Sequence, residues 1–152
     1  MGCINEINGH TKLTGLLGSP VAHSKSPLMH NEAFKELGLN YVYLCFDVPE
    51  NNLKIAYEGL KKLNVAGFNC TMPDKTLICE LVDELSPAAS MIGAVNTVVN
   101  KDGRFIGHNT DGIGYMQSVK DAGFDIIGDY NDFTWCRWGR FFYFCSGSSW
   151  WR

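Results

Sequence analysis

The sequence predicts an α/β domain of three layers, α-β-α, in which a mostly parallel sheet carries helices on both faces. Segments rich in β-forming residues alternate with helical segments in the order β-α-β-α-β-α, followed by a hairpin and a last helix. The composition, 45% hydrophobic and 19% charged over 152 residues, is typical of a globular domain with a substantial core. In such sheets ligands bind at the carboxyl ends of the strands, so we expect the chemistry in the loops that follow them.

The first half of the chain supplies two strand–helix units. Residues 11–18 predict a strand that ends in a Gly-Ser-Pro turn, and the next segment predicts a helix with Ser26 as its N-cap and an end at Gly38. Residues 41–48 form a continuous apolar run, which predicts a strand buried on both faces. Residues 51–64 predict a second helix. Its apolar face consists of Leu53, Ala56, Tyr57, Leu60 and Leu63.

The second half continues the alternation. Residues 65–73 predict a short strand that runs into a loop, and residues 75–85 predict a helix. Residues 96–110 predict two strands joined across the turn Asn-Lys-Asp-Gly. A last helix is predicted from Asp111 to a stop near Gly123.

The first chemically suggestive loop, GSPVAHSKSPLMHN, follows the first strand. Ser24 and Ser26 flank a lysine immediately before a helix. Hydroxyl groups beside a helix N-terminus favour the binding of a carboxylate or a phosphate. The alternative is that Ser26 serves only as a helix cap.

The second loop, GFNCTMPDK, carries three candidate residues. Asn69 and Thr71 are two positions apart in an extended segment, so their side chains are expected to face the same way and to bind a polyol. Lys75 is predicted to begin the next helix, where a cation opposes the helix dipole, which indicates another role. The alternative is a solvated surface lysine.

The third group comprises Asn96 and Asp111, which lie beside apolar strands in GAVNTVV and GHNTDG. For Asp111 the alternative is again a helix cap. Together the candidates of the three loops suit a small polyhydroxylated carboxylate. A Lys–Asp pair in such a pocket can transfer a proton, because burial lowers the pKa of a lysine while an aspartate keeps it charged.

Several classes of protein are disfavoured. The net charge of −3 predicts no nucleic-acid partner, and no apolar run approaches the ~20 residues of a membrane span. The first residues have no secretory signal pattern, and Glu6 departs from the Ser or Thr of a myristoylation motif. Six cysteines without a C-x-x-C pair and four histidines without i, i+4 pairing predict no metal site. We therefore expect a reduced, cytoplasmic protein.

Four motifs, in order, resemble those of the shikimate dehydrogenase family, including its quinate/shikimate dehydrogenase branch. They are GSPVAHSKSPLMHN, GFNCTMPDK, GAVNT and GHNTDG, and the resemblance covers roughly residues 11–130. It implies reversible reduction of 3-dehydroshikimate to shikimate with NADP as the cofactor. Some members of the family use NAD as the cofactor or accept quinate as a substrate. It also implies an N-terminal domain that binds substrate, followed by a Rossmann domain that binds the nucleotide.

The resemblance assigns roles to the candidate residues. Ser24 and Ser26 would hold the substrate carboxylate. Lys75 would be the catalytic acid/base, paired with Asp111. The ring hydroxyls would be held by Asn69, Thr71, Asn96 and Asp111. One departure is Cys70, where the motif usually has Val.

The last twenty residues do not fit the family. A Rossmann domain would continue with a strand and a Gly-rich turn, but the chain has DFTWCRWGRFFYF, and nine of its last twenty residues are aromatic. A frame that starts one base later can encode Ile-Leu-Leu-Gly-Ala-Gly-Gly-Ala at this place. We therefore expect a substrate-binding domain at 1–110, a linker helix and the start of the nucleotide domain at 111–131, and an aberrant, poorly structured tail at 132–152, out of frame from about Asn131.

These expectations leave alternatives of different classes. One is an oxidoreductase of this family whose cofactor fingerprint is absent from the chain, so that the chain alone is inactive. Another is a non-catalytic module that binds shikimate. A third is an aromatic-basic tail that stacks single-stranded nucleic acid. Shikimate against quinate, NADP against NAD, and monomer against homodimer stay open.

Overall fold

The computed structural model describes residues 7–123 and, as backbone, two strands at 133–138 and 141–146. The chain divides into two compact units, Met1–Asn109 and Thr110–Arg152. The expected change of frame near Asn131 falls outside the described residues.

The first unit contains six strands and three α-helices within its described part. The strands are β1 (Lys12–Gly18), β2 (Tyr41–Asp47), β3 (Gly67–Cys70), β4 (Glu84–Leu85), β5 (Thr97–Lys101) and β6 (Arg104–His108). The helices are α1 (Ser26–Glu36), α2 (Leu53–Lys62) and α3 (Pro87–Ile92), with 3₁₀ turns at Glu50–Asn52 and Leu77–Glu80.

The second unit begins with helix α4 (Asp111–Asp121). Two further strands, β7 (Phe133–Trp138) and β8 (Phe141–Ser146), pair antiparallel from end to end. The segment that the sequence predicts as a poorly structured tail therefore contains two paired strands.

The six strands of the first unit form one sheet in the order β2-β1-β3-β5-β6-β4. The pairs β1–β2, β1–β3 and β4–β6 are parallel, whereas β5 is antiparallel to both β3 and β6. The predicted mostly parallel α/β sheet is confirmed, with β5 as its reversed strand. This order brings the ends of β1, β2, β3 and β6 and the start of β5 to the same edge.

One face of the sheet carries the larger core. Leu17, Val98 and Phe105 project from the strands and pack with Tyr57 and other buried residues of α2 and α3. Three rings pack edge to face in this core, and the Tyr57–Phe105 centroids are 5.7 Å apart at 88°. Burial of this apolar surface is the main stabilising contribution to the unit.

The opposite face carries a smaller cluster beneath α1. Leu16, Val21 and Tyr43 are its buried members, and Phe34 of α1 packs against them. None of the residues of α1 is fully buried, and Leu37 is exposed at its end. Helix α1 therefore contacts the smaller cluster through Phe34.

The helix predicted at 75–85 is wrong. The segment has one 3₁₀ turn and then joins the sheet edge as β4, where Asp83 N donates to Phe105 O at 2.9 Å and Ser86 N to Gly107 O at 2.8 Å. Pairing with β6 thus overrides the local helical pattern. The sequence analysis also missed helix α3, although Ser86 caps it by accepting a hydrogen bond from Ala89 N and Gly93 ends it in the left-handed conformation.

The prediction that residues 41–48 are buried on both faces is also wrong. Strand β2 lies at the edge of the sheet, and Leu44 is 46% exposed. An apolar run at an edge strand has a neighbour on one side alone, so its outer residues stay accessible. On α2 the predicted face holds for Leu53, Tyr57 and Leu60, but Leu63 lies beyond the helix end and is exposed.

The predicted hairpin is present. Strands β5 and β6 are joined by Asp102 and Gly103, which have φ of 53° and 84°. Two consecutive positive φ values fit a two-residue turn of the kind that Asp-Gly favours. Asn100 adds support, because its Oδ1 accepts a hydrogen bond from Gly103 N at 2.8 Å.

Candidate functional site

The candidate residues of the first unit meet at one edge of the sheet. Ser24 and Ser26 follow β1, Asn69 and Thr71 lie at the end of β3, and Asn96 precedes β5. The topology explains this grouping, since β5 runs opposite to β3 and begins where β3 ends. Lys75 follows in the same loop as Thr71, and its carbonyl accepts a hydrogen bond from Val95 N at 2.7 Å.

The serine loop differs from its prediction in one respect. Ser26 is the first helical residue rather than the N-cap, which is Lys25 and makes no side-chain cap bond. Instead, Ser24 Oγ accepts a hydrogen bond from Ser26 N at 3.2 Å. The Ser26 side chain therefore does not cap α1, and the interpretation of Ser26 as only a helix cap is wrong.

Two aromatic side chains that the sequence analysis missed connect this loop to β3. The His30 ring stacks on the Tyr43 ring with centroids 4.1 Å apart and planes 10° apart, and its Nδ1 bonds Ser26 O at 2.9 Å. Tyr43 is buried, and its hydroxyl donates to Asn69 Oδ1 at 2.8 Å. Burial raises the pKa of Tyr43 far above its ordinary value, so the phenol stays a neutral donor.

The amide of Asn69 is fixed at both ends. Its Oδ1 accepts from Tyr43, while its Nδ2 donates to Asn96 O at 3.2 Å and to Thr97 Oγ1 at 3.0 Å. Thr97 in turn donates to Asn96 Oδ1 at 3.0 Å. This arrangement leaves a second lone pair on Asn69 Oδ1 and holds the amide in one orientation.

Thr71 lies just beyond β3 and is held against the end of β1. Its backbone N–H donates to Leu17 O at 2.9 Å. A Cβ added to Gly18 would overlap Thr71 Cγ2 and lie 3.0 Å from Met72 O. The absence of a side chain at Gly18 thus allows the 71–75 loop to approach β1 closely.

Lys75 and Asp111 need separate descriptions. Lys75 is half-buried in the loop before the 3₁₀ turn, so it does not begin an α-helix and the argument from an opposing helix dipole is wrong. Asp111 is the first residue of α4, and Thr110 is the N-cap position. It belongs to the second unit.

A groove of about 850 Å³ opens beside this polar network in the first unit. His30, Tyr43, Asn69 and Thr97 line it, and it continues over the sheet face beside α1 to the Asp102–Gly103 turn at the opposite edge. Of the predicted site residues, Asn69 alone lines this groove. Its walls combine aromatic rings with amide and hydroxyl groups. Such a surface suits a small polar ligand with both hydroxyl groups and an apolar ring face.

The part of the chain that is described here offers neither a membrane span nor a metal site. No helix within it has the length and apolar character to cross a bilayer. No three His, Cys, Asp or Glu side chains within it converge as metal ligands would. Among the described residues, Cys45, Cys70 and Cys79 form no disulfide.

A family model described as the shikimate dehydrogenase substrate binding domain matches residues 16–98. The shikimate dehydrogenase (NADP(+)) of Listeria monocytogenes is 57% identical over 122 residues, which are 80% of this chain and 42% of that protein. The corresponding protein of Alkaliphilus metalliredigens is 59% identical over 118 residues, or 78% of this chain and 41% of that protein. The chain thus spans about two fifths of the length of these relatives.

A solved structure supports the same relationship. The crystal structure of shikimate 5-dehydrogenase from Listeria monocytogenes, in complex with shikimate and NAD, superimposes with a TM-score of 0.79 at 56% sequence identity. The superposition covers 82% of this chain and 43% of that one.

Proposed function

The chain belongs to the shikimate dehydrogenase family and contains its substrate-binding domain, and we propose that it binds shikimate and 3-dehydroshikimate. The observation that carries the proposal is the fixed amide of Asn69 at the edge of the sheet, where it lines a groove of about 850 Å³. The relative from Listeria monocytogenes was crystallised with shikimate, which supports the choice of ligand. In the whole protein this binding would serve the reduction of 3-dehydroshikimate.

Each side chain has a proposed task. The hydroxyls of Ser24 and Ser26 bind the ligand carboxylate, because both lie where α1 presents its first N–H groups. Asn69, Thr71 and Asn96 bind the ring hydroxyls through amide and hydroxyl groups. Retention of both serines suits shikimate without excluding quinate.

Lys75 is proposed as the acid/base, with Asp111 as its partner. Its ammonium group would give a proton to the substrate oxygen as the carbonyl becomes a hydroxyl, and would accept it in the reverse direction. Asp111 would keep the ammonium charged. The support for this pair is the match of both residues to the family motifs.

The described residues do not fit a nucleotide-binding site. A dinucleotide site requires a strand, a Gly-rich turn and a helix whose N-terminus faces the pyrophosphate. After α4 the described part of the second unit has the antiparallel strands β7 and β8 instead. We therefore propose that this chain by itself binds the substrate without oxidising or reducing it.

Calorimetric titration with shikimate tests the binding proposal. We expect saturable binding by the chain, and a loss of about tenfold or more for Ser24→Ala and for Asn69→Ala, because each removes a hydrogen bond to the ligand. Ser90 is an exposed serine on α3, so Ser90→Ala is the matched control, and this variant should bind shikimate as the parent chain does. No saturable binding by the folded parent chain would refute the proposal.

The absorbance of reduced nicotinamide tests the second part. Shikimate and NADP with the purified chain should give no turnover, whereas robust reduction of NADP would contradict the assignment of binding alone. The proposed change of frame near Asn131–Asp132 is tested on the coding DNA. A frame one base later must encode a Gly-rich turn there, and its absence would end that hypothesis.

A further inference from the structure

Asp74 is an unusual residue of the loop formed by residues 71–75. Its side chain is 0% exposed, yet neither carboxylate oxygen has a hydrogen-bond partner among the described residues. Buried carboxylates are normally paired or hydrogen-bonded, because an isolated buried charge is costly. Neither the proposed binding site nor the core explains this group.

Asp74 lies at the centre of the segment that carries two proposed site residues. Its backbone N–H donates to Thr71 O at 3.0 Å, and its carbonyl accepts from Ile78 N at 3.0 Å. Lys75 follows directly and is tied to the sheet through its own carbonyl. A change in how well the Asp74 side chain tolerates burial therefore acts on the turn that holds Thr71 and Lys75.

The groups that act on Asp74 do not stabilise its charge. Burial and, to a smaller extent, the charge of Glu50 on the 3₁₀ turn before α2 together raise the pKa of Asp74 to about 6. Burial raises the pKa of the Cys70 thiol on β3, and the negative charge of Asp74 raises it further. The facing groups are thus a second carboxylate and a neutral thiol.

We propose that Asp74 is a positioning residue whose protonation tightens the 71–75 loop and whose ionisation loosens it. Protonated, the side chain is a neutral group that the interior tolerates. Ionised, it gains hydration only if the loop opens, so ionisation favours opening. The proposal concerns the loop itself, and its consequence for ligand affinity rests on the proposed function.

The linkage between proton binding and folding determines how the stability of the chain changes with pH. The pKa of Asp74 is about 6 when folded against 3.8 as the ordinary value, so the folded state binds more protons between these limits. The stability associated with the neutral group is complete below about pH 4 and is lost as the pH rises through 6. The difference of about two pKa units corresponds to roughly a 100-fold change in the unfolding equilibrium constant.

The experiment compares urea unfolding of the full chain, followed by far-UV circular dichroism, from pH 4 to pH 8. We expect Asp74→Asn to unfold less readily than the parent above pH 6, with a ratio of unfolding constants that grows by roughly 100-fold with rising pH. Asp83→Asn is the matched control of opposite sign. Asp83 is paired with Lys61, which lowers its pKa, so this substitution should destabilise the chain at neutral pH.

Amide hydrogen exchange locates the effect. At pH 7.5 the amides of Asp74 and Ile78 should be better protected in Asp74→Asn than in the parent, and at pH 5 the difference should shrink. Should Asp74→Asn not fold, Asp74→Ala must show the same loss of pH dependence, although a cavity would weaken it at every pH.

A parent-to-variant ratio that does not change with pH would overturn the proposal, and so would a change in overall stability without a local change in exchange. Shikimate titration adds a separate result, namely tighter binding by Asp74→Asn than by the parent at pH 7.5. If no variant binds shikimate, the proposed function fails, while the unfolding and exchange results still decide the role of Asp74.

Discussion

The two faces of the central sheet differ in chemistry. The face beneath α2 and α3 is almost entirely apolar, and Tyr57, Phe68 and Phe105 pack there edge to face. The face beneath α1 is polar towards the site edge, where Tyr43 and Asn69 are hydrogen-bonded beside the groove. One sheet thus separates an apolar core from a polar, grooved surface.

The two faces show how a small domain can carry a polar, hydrogen-bonded surface without losing its fold. Apolar burial on one face supplies stability that depends on volume and area. The polar network on the other face adds little net stability per bond but fixes directions. Substitutions on the first face should therefore affect unfolding, and substitutions on the second should affect binding more than unfolding.

The largest expected effect is on the apolar face. Phe105→Ala removes a fully buried ring at the centre of the aromatic cluster and should lower the free energy of unfolding by ~3–5 kcal/mol. Urea unfolding followed by circular dichroism measures it. Val99→Ala, on the other face of β5 and 42% exposed, is the control and should lower it by less than ~1 kcal/mol. Equal losses would show that the two faces do not differ in this way.

An intermediate effect is expected where β1 meets the 71–75 loop. Gly18→Ala would press on the Thr71 methyl and Met72 O, so we expect ~1–3 kcal/mol of destabilisation together with weakened shikimate binding. Thermal unfolding and calorimetric titration check the two effects. Gly59→Ala in α2, with no atom within 4 Å of the added Cβ, should instead stabilise the chain by ~0.5–1 kcal/mol. If Gly18→Ala binds shikimate normally, the close approach of the loop is not required.

The smallest effects are expected from two substitutions that each remove one tyrosine hydroxyl, one on each face of the sheet. Tyr43→Phe loses the bond to Asn69 and should cost ~1 kcal/mol of stability and several-fold in shikimate affinity. Tyr57→Phe removes a buried hydroxyl that has no hydrogen-bond partner among the described residues, so it should be neutral or slightly stabilising. A destabilising Tyr57→Phe with a harmless Tyr43→Phe would reverse the comparison.

Much of this architecture is predictable from the sequence because local signals and tertiary packing agree. The Asp-Gly turn between β5 and β6 needs positive φ at both positions, and Asp102 and Gly103 supply it. The alternation of strands and helices likewise predicts the sheet and the edge at which the loops meet. The motif residues of the first unit are therefore placed near one another by topology alone.

The wrong or missing predictions concern segments whose structure depends on contacts with residues distant in the sequence. Residues 75–85 have a helical pattern, but Asp83 and Ser86 bond to β6, so the segment follows the sheet. Tyr43 and His30 could not be assigned to the site, because a buried tyrosine in an apolar run has no local mark of its hydrogen bond to a residue 26 positions away. The orphan carboxylate of Asp74 is equally invisible before burial is known.

The side chain of Asn31 has a consequence for assembly. Its amide accepts from Tyr43 N and donates to Tyr43 O, both at 2.9 Å, as a neighbouring strand would. Tyr43 belongs to β2, the edge strand of the sheet. Unpaired edges are templates on which strands of other molecules can add. By occupying two backbone groups in the middle of β2, Asn31 removes them from those on which a strand of another molecule could pair.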